Sequence, residues 1–296
     1  MAFITFNAEN RTSYGVVRED GVFDLGRRIG SVLPDLKSFL AAKGLGILGK
    51  VPKAEVTDYA TGEFTYLPVL PNPAKILCVG LNYHEHRRET GRAETEHPAI
   101  FTRFADTLIG HDAPILLPGS SSALDYEGEL AVVIGKACFH VSEAEAMSYV
   151  GGYSVFNDAT VRDWQRHTHQ FTPGKNFPAT GALGPALVTP EEIADLAGKG
   201  IETRLNGVTM QSAKLGDMIF SVSQIIAYLS GFTRLSPGDV IATGTPGGVG
   251  FKRDPQVFMR PGDRIEVTVE GVGTLINGVE AEVDCVDGKL GDGRRG

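Results

Sequence analysis

At 296 residues the chain can bury a large core in one or two domains, and its 42% hydrophobic and 22% charged residues are those of an ordinary globular protein. A net charge of −8 and a pI near 5.4 argue against nucleic acid or an anionic membrane as main partner. Cys78, Cys138 and Cys285 are odd in number, far apart and in no metal spacing, so a disulfide framework is not expected. Met1–Asn7 carries no signal-peptide pattern, and no apolar run reaches the ~20 residues of a membrane span, so a cytoplasmic location is expected.

In chain order, Phe3–Phe6, Ser13–Val17 and Gly21–Leu25 read as short strands, with Glu19-Asp20-Gly21 as a hairpin turn. A short amphipathic helix is expected over Leu33–Ala42. The stiff connector Pro68–Pro73 marks a boundary, because proline fixes its own φ and restricts the residue before it. The expected division is a small α+β N-terminal domain (1–72), a catalytic domain (73–288) and a flexible tail (289–296). Lys75–Gly80 has the composition of a buried strand. A helix follows, with Asn82 as its cap, Glu85 completing a capping box and Gly91 as its stop. Further strands are expected at Ala131–Ile134, Gly152–Phe156, Ile201–Leu205, Asp239–Thr243 and Arg264–Val269, and one clear helix at Ser223–Phe232. Many strands and few helices predict a β-rich mixed α/β fold with a rolled sheet rather than a doubly wound one.

Asp125 to Gly135 is the most informative stretch. Glu127 and Glu129 flank Gly128 just before a pure apolar run, so in a strand they share a face while Tyr126 takes the other. Like charges on one face suit a hard divalent cation, or equally the solvated face of an edge strand. Asp158, at the end of Gly152–Asn157, would bring a third carboxylate. His86 and Glu89 stand at i and i+3 of one helix, so they can touch as a base and its orienting group; a solvated surface helix fits the local sequence as well. Lys175 lies in a Gly/Pro-punctuated loop. Arg162 and Gln165 follow Asp158 at spacings that line one helical face. The glycine-rich Thr243–Gly250 suits an anion but matches neither a P-loop nor a dinucleotide fingerprint. His167, in the unassigned stretch His167–Phe171, is expected on the surface.

Taken in order, Gly80–Tyr83 with His86 and Glu89, Pro98–Phe101, Asp125–Glu129, Asn157-Asp158 with Arg162 and Gln165, Gly174-Lys175, Asn206-Gly207 and Thr243–Gly250 resemble the fumarylacetoacetate hydrolase family, in particular its bacterial members with a short N-terminal domain. The resemblance spans residues 74–283 and implies a mixed β-sandwich roll, usually a homodimer. It implies Mg²⁺ or Mn²⁺ (Ca²⁺ as a crystal substitute) on Glu127, Glu129 and Asp158. It further implies His86 and Glu89 activating water, and Lys175 facing the substrate. Arg103, Arg162, Gln165 and Thr245 would contact the substrate, an α-keto or diketo acid. Members often carry Lys where this chain has Arg103, a planar fork in place of a point charge.

That likeness leads to hydrolysis of the C–C bond of an acylpyruvate, releasing pyruvate and a carboxylic acid. Decarboxylation of oxaloacetate or another β-keto acid, and keto–enol isomerisation of a dienoic acid, use the same enolate. A non-catalytic dimer that binds small acids is the alternative of another class, and it gives the His86–Glu89 pair no work.

Overall fold

A computed structural model describes residues 1–42, 57–91, 93 and 95–283. The expected flexible tail 289–296 and Cys285 lie outside the described residues. The chain has a mixed α/β fold dominated by two large sheets. Among the described residues the larger has twelve strands. Its main path runs through Tyr59–Ala60, Gly21–Asp24, Arg11–Arg18, Ala2–Ala8, Gly181–Val188, Val150–Asp158, Gly128–Ile134, Val240–Ala242, Ile76–Gly80 and Ala99–Arg103. Most pairs are antiparallel, while Val240–Ala242 runs parallel to Ile76–Gly80. The N-terminal strands continue this sheet, since Ala2 pairs with Val188 and Phe3 with Leu187. The second sheet orders Val208–Lys214, Gly200–Leu205, Arg264–Val269, Gly273–Ala281 and Ile115–Leu117.

The sandwich between the sheets explains the apolar run after Glu129. Leu130, Val132 and Ile134 pack with Ile201, Val267 and Val269 of the second sheet. Ala131 and Val133 face the opposite layer, with Phe3, Phe23 and Phe39 of the N-terminal unit. A strand buried on both faces loses the polar half of its alternation, which is why it reads as continuous hydrophobe. Ser221 caps the helix Val222–Phe232 in a capping box with Gln224, and Ile225, Ile226 and Leu229 turn into the core. The shorter helix Leu36–Ala41 is capped by Asp35. No helix among the described residues is long and apolar enough to cross a membrane.

One expected cap is corrected. Helix His84–Thr90 starts after Tyr83, which makes no side-chain cap, and Asn82 does not cap it. The Asn82 side chain instead donates to Phe220 O (3.0 Å) and Thr243 O (2.8 Å) and accepts from Phe220 N (2.8 Å). A buried amide satisfies more backbone groups by tying three segments together than by capping one helix. Gly91 does end the helix, in the left-handed conformation at φ 67°.

Candidate metal and catalytic site

Glu127 immediately precedes the strand Gly128–Ile134, and Glu129 lies in it. Asp158 ends the neighbouring antiparallel strand, where Gly128 pairs with Asn157. The register brings oxygens of Glu127, Glu129 and Asp158 within 4.8 Å of one another, all three residues buried. Gly128 is needed between them because a Cβ there would lie 2.1 Å from Thr203 Oγ1 and 2.9 Å from Val267 Cγ1. The second sheet thus presses on the backbone that separates the two glutamates. Both polar groups of Gly128 are fixed: its N–H donates to Gln211 Oε1 (3.0 Å), and its carbonyl accepts from Thr245 Oγ1 (2.9 Å). Gln211 Nε2 in turn donates to Thr245 Oγ1 at 2.8 Å.

Three buried cations answer these charges. Lys175 Nζ bridges Glu127 Oε2 (2.7 Å) and Asp158 Oδ2 (2.5 Å). Arg162 Nη2 lies 2.7 Å from Glu127 Oε1, and Arg103 Nη1 2.5 Å from Asp158 Oδ1. Burial works against the Glu127 carboxylate, but Lys175, Arg162 and His86 outweigh it and hold its pKa well below the ordinary value. Lys175 is pulled down by burial and raised on balance by Asp158 and Glu127. Glu129 differs. Burial, then Asp158 and Glu127, push its carboxyl well above the usual range, and its partner is the Gly244 N–H at 2.8 Å. An all-oxygen set in which one carboxyl is short of positive charge fits a hard divalent cation.

Opposite the carboxylates, His86 Nδ1 lies 2.6 Å from Glu89 Oε1, and Glu89 Oε2 accepts from Gly248 N at 3.0 Å. The i, i+3 spacing therefore gives real contact. With its proton on Nδ1 the ring donates to Glu89, and Nε2 is the nitrogen left to take a proton. His86, Glu127, Glu129, Lys175 and Thr245 line one open cavity of about 470 Å³, and Gln165 and Arg162 lie on the same wall.

Arg103 is placed differently from the expectation that it contacts substrate. It does not line this cavity; its guanidinium is buried behind the triad, on Asp158, Ala159 O (3.1 Å) and Thr180 Oγ1 (2.6 Å). A buried Asp158 requires a counter-ion, and the planar fork of Arg supplies it while reaching two further acceptors. His167, expected on the surface, is exposed as expected, at the cavity's edge against Trp164, ring centroids 4.9 Å apart.

Two contributors escaped the sequence reading. Gln211 carries no motif and stands 83 residues from Gly128. Asp125 belongs to the acidic motif, but its local sequence assigns it no partner. Its fully buried carboxylate accepts from Gly250 N (2.8 Å), Phe251 N (3.1 Å), Tyr126 N (2.9 Å) and Arg162 Nε (2.8 Å). The anion expected on Thr243–Gly250 turns out to be the protein's own: the loop N–H groups hold Glu129, Glu89 and Asp125.

Comparison with known proteins agrees with this geometry. The family described as fumarylacetoacetate (FAA) hydrolase C-terminal matches residues 75–280. The chain is 39% identical over 236 residues to an oxaloacetate tautomerase, Fahd2a, mitochondrial, of Rattus norvegicus, covering 79% of this chain and 75% of that one. A putative HpcE protein from Mycobacterium smegmatis superposes with TM-score 0.86 at 33% identity, over 96% of this chain and 100% of the other. A fumarylacetoacetate hydrolase from Exiguobacterium antarcticum superposes with TM-score 0.78 at 33% identity, over 95% and 100%.

Proposed function

Since the chain belongs to the fumarylacetoacetate hydrolase family, we propose that it is a divalent-metal-dependent enzyme of 2-oxo acids, hydrolysing the C3–C4 bond of an acylpyruvate. The observation that carries this reading is the His86–Glu89 pair, braced by Gly248 N, with His86 facing the cavity that Glu127 and Glu129 of the buried triad also line. Glu127, Glu129 and Asp158 would hold Mg²⁺ or Mn²⁺. A bound cation supplies Lewis-acid polarisation of the keto oxygen and carboxylate of the substrate.

The chain's own groups do the rest. His86 Nε2 takes a proton from water, with Glu89 orienting the ring and stabilising its charged form. The hydroxide adds to C4, the C3–C4 electron pair passes to the pyruvate fragment as its enolate, and His86 returns the proton to C3. The products are pyruvate and a carboxylic acid. Lys175, buried beside Glu127 and Asp158, places positive charge near the oxygen that becomes negative. Arg162 and Gln165 form a hydrogen-bonded wall (3.0 Å) against which the substrate lies.

A second reading, proton transfer that interconverts keto and enol oxaloacetate, is favoured by the identity with the rat tautomerase. It uses His86 on carbon rather than on water. The test is purified protein with Mg²⁺ or Mn²⁺, offered fumarylpyruvate and enol-oxaloacetate separately, with and without EDTA. Pyruvate released from fumarylpyruvate and abolished by EDTA supports the hydrolase. Loss of enol absorbance without pyruvate release selects the tautomerase, and turnover indifferent to EDTA rules out the metal role.

A further inference from the structure

Lys175 reaches the acidic triad from a turn that does little to hold itself. The four-residue helix Thr172–Lys175 has no side-chain cap at its start, and a single helical turn is not stable alone. Its placement is nonetheless demanding. The Lys175 ammonium must meet Glu127 Oε2 and Asp158 Oδ2 together at the end of a flexible stem. Packing fixes how close the turn lies to one neighbour: Gly174 rests against Gln165, where a Cβ would come within 2.5 Å of the backbone N. That contact has no direction, so it leaves the position of the turn along the adjoining strand unset.

Asn176, the next residue, supplies the missing direction. Its Oδ1 accepts from Phe104 N at 2.7 Å, and its Nδ2 donates to Thr102 O at 3.2 Å and to Thr172 O at 3.0 Å. One amide therefore grips the backbone on both sides of Arg103 and closes the turn that carries Lys175. The strand it grips is itself fixed. Ala99–Arg103 pairs with Ile76–Gly80 along its length, and Arg103 is held by Asp158, Ala159 O and Thr180. Arg103 takes Asp158 Oδ1 and Lys175 takes Oδ2, so the two cations on one carboxylate come from two segments joined by Asn176. Directional bonds from a short side chain carry the position of the anchored strand over to the turn.

We propose that Asn176 is a positioning residue: it ties the Thr172–Lys175 turn to the strand end around Arg103, and so sets where the Lys175 ammonium stands against Glu127 and Asp158. Asn176 does not line the cavity and acts through Lys175 alone. What the ammonium is for, positive charge beside the oxygen that becomes negative, rests on the 2-oxo acid reading; where it stands does not. Asn176 is half-buried, so water replaces part of its bonding when it is removed, and the fold survives while the turn loosens.

Two measurements on the protein with Mg²⁺ present test this. The first is lysine acetylation read by mass spectrometry. Lys175, 1% exposed, should be protected in the parent and react severalfold faster in Asn176→Ala, while Lys75, 31% exposed, reacts alike in both. Unchanged protection of Lys175 overturns the proposal, whatever the substrate. The second is calorimetry with oxalate, a mimic of pyruvate enolate. Asn176→Ala should weaken oxalate about tenfold, and should change nothing in a Lys175→Met background, because the effect passes through the ammonium. Equal weakening in both backgrounds is a general structural effect and overturns the positioning role. Oxalate that binds none of these proteins overturns the 2-oxo acid reading instead, and acetylation then decides the placement of Lys175 by itself.

Discussion

Removing the Asp125 carboxylate should be among the costliest single changes in this protein. Asp125 is fully buried and holds Arg162, itself 4% exposed, through a 2.8 Å bond to Nε. It also accepts from the backbone N–H groups of Gly250 and Phe251. Asp125→Ala leaves the guanidinium with Glu127 as its one remaining carboxylate, beside Gln165, and orphans two loop donors. Breaking a buried pair by removing one partner costs about 3–5 kcal/mol, and each orphaned donor about 1 kcal/mol more where water does not reach it. The sum, roughly 5–7 kcal/mol, is a large share of the ~5–15 kcal/mol that holds a typical domain. Asp125→Asn keeps one acceptor oxygen but sets an NH₂ against a donor, so it should fall between. Urea unfolding of the three proteins, followed by fluorescence of Trp164, gives the differences. If Asp125→Ala lies within about 1 kcal/mol of the parent, the carboxylate is not a structural hub and the reasoning fails.

Three further outcomes are expected. His86→Ala should lower kcat by about 10²–10⁴ while metal affinity measured by calorimetry stays unchanged; a smaller drop would place proton transfer elsewhere. Gly128→Ala drives a methyl onto Thr203 Oγ1, which should cost about 1–3 kcal/mol in thermal unfolding and weaken metal binding; adding Thr203→Ala should recover part of both, and independent additive effects would refute the clash. The Glu129 carboxyl, raised from its ordinary 4.5, keeps a proton that the unfolded chain has lost above that pH. The metal-free protein should therefore lose stability as pH rises above that ordinary value toward the raised one, and Glu129→Gln should flatten the slope. Loading Mn²⁺ should release protons, visible as a buffer-dependent heat, and metal affinity should weaken as pH falls. Absence of both effects would show that Glu129 is ionised without the metal.

Local periodicity made parts of the site legible. Glu127 and Glu129 are two positions apart, so a strand sets them on one side whatever the fold. His86 and Glu89 are three apart on a helix, and the structure brings them to 2.6 Å. The apolar run after Glu129 was legible as a strand, while its burial on both faces depends on the two layers that pack against it. What stayed hidden depends on long-range register. Gln211 reaches Gly128 because the second sheet packs across the first, and nothing near Gln211 in sequence says so. The reading of Asn82 failed for the same reason: its local pattern is a capping box, while its real partners, Phe220 and Thr243, lie far along the chain. Arg103 could be seen as a departure from the usual Lys, but not that it turns inward to Asp158.

One short segment, Thr243–Phe251, touches Glu129 through Gly244, the Glu89 of the proton-transfer pair through Gly248, and Asp125 through Gly250 and Phe251. It works as a shared ruler, so the separation between ligand, base and substrate wall is set by one stretch of backbone rather than by three independent contacts. A change that lengthens or stiffens this stretch should move all three together. Engineering a new specificity here is therefore most hazardous within the glycines of that stretch.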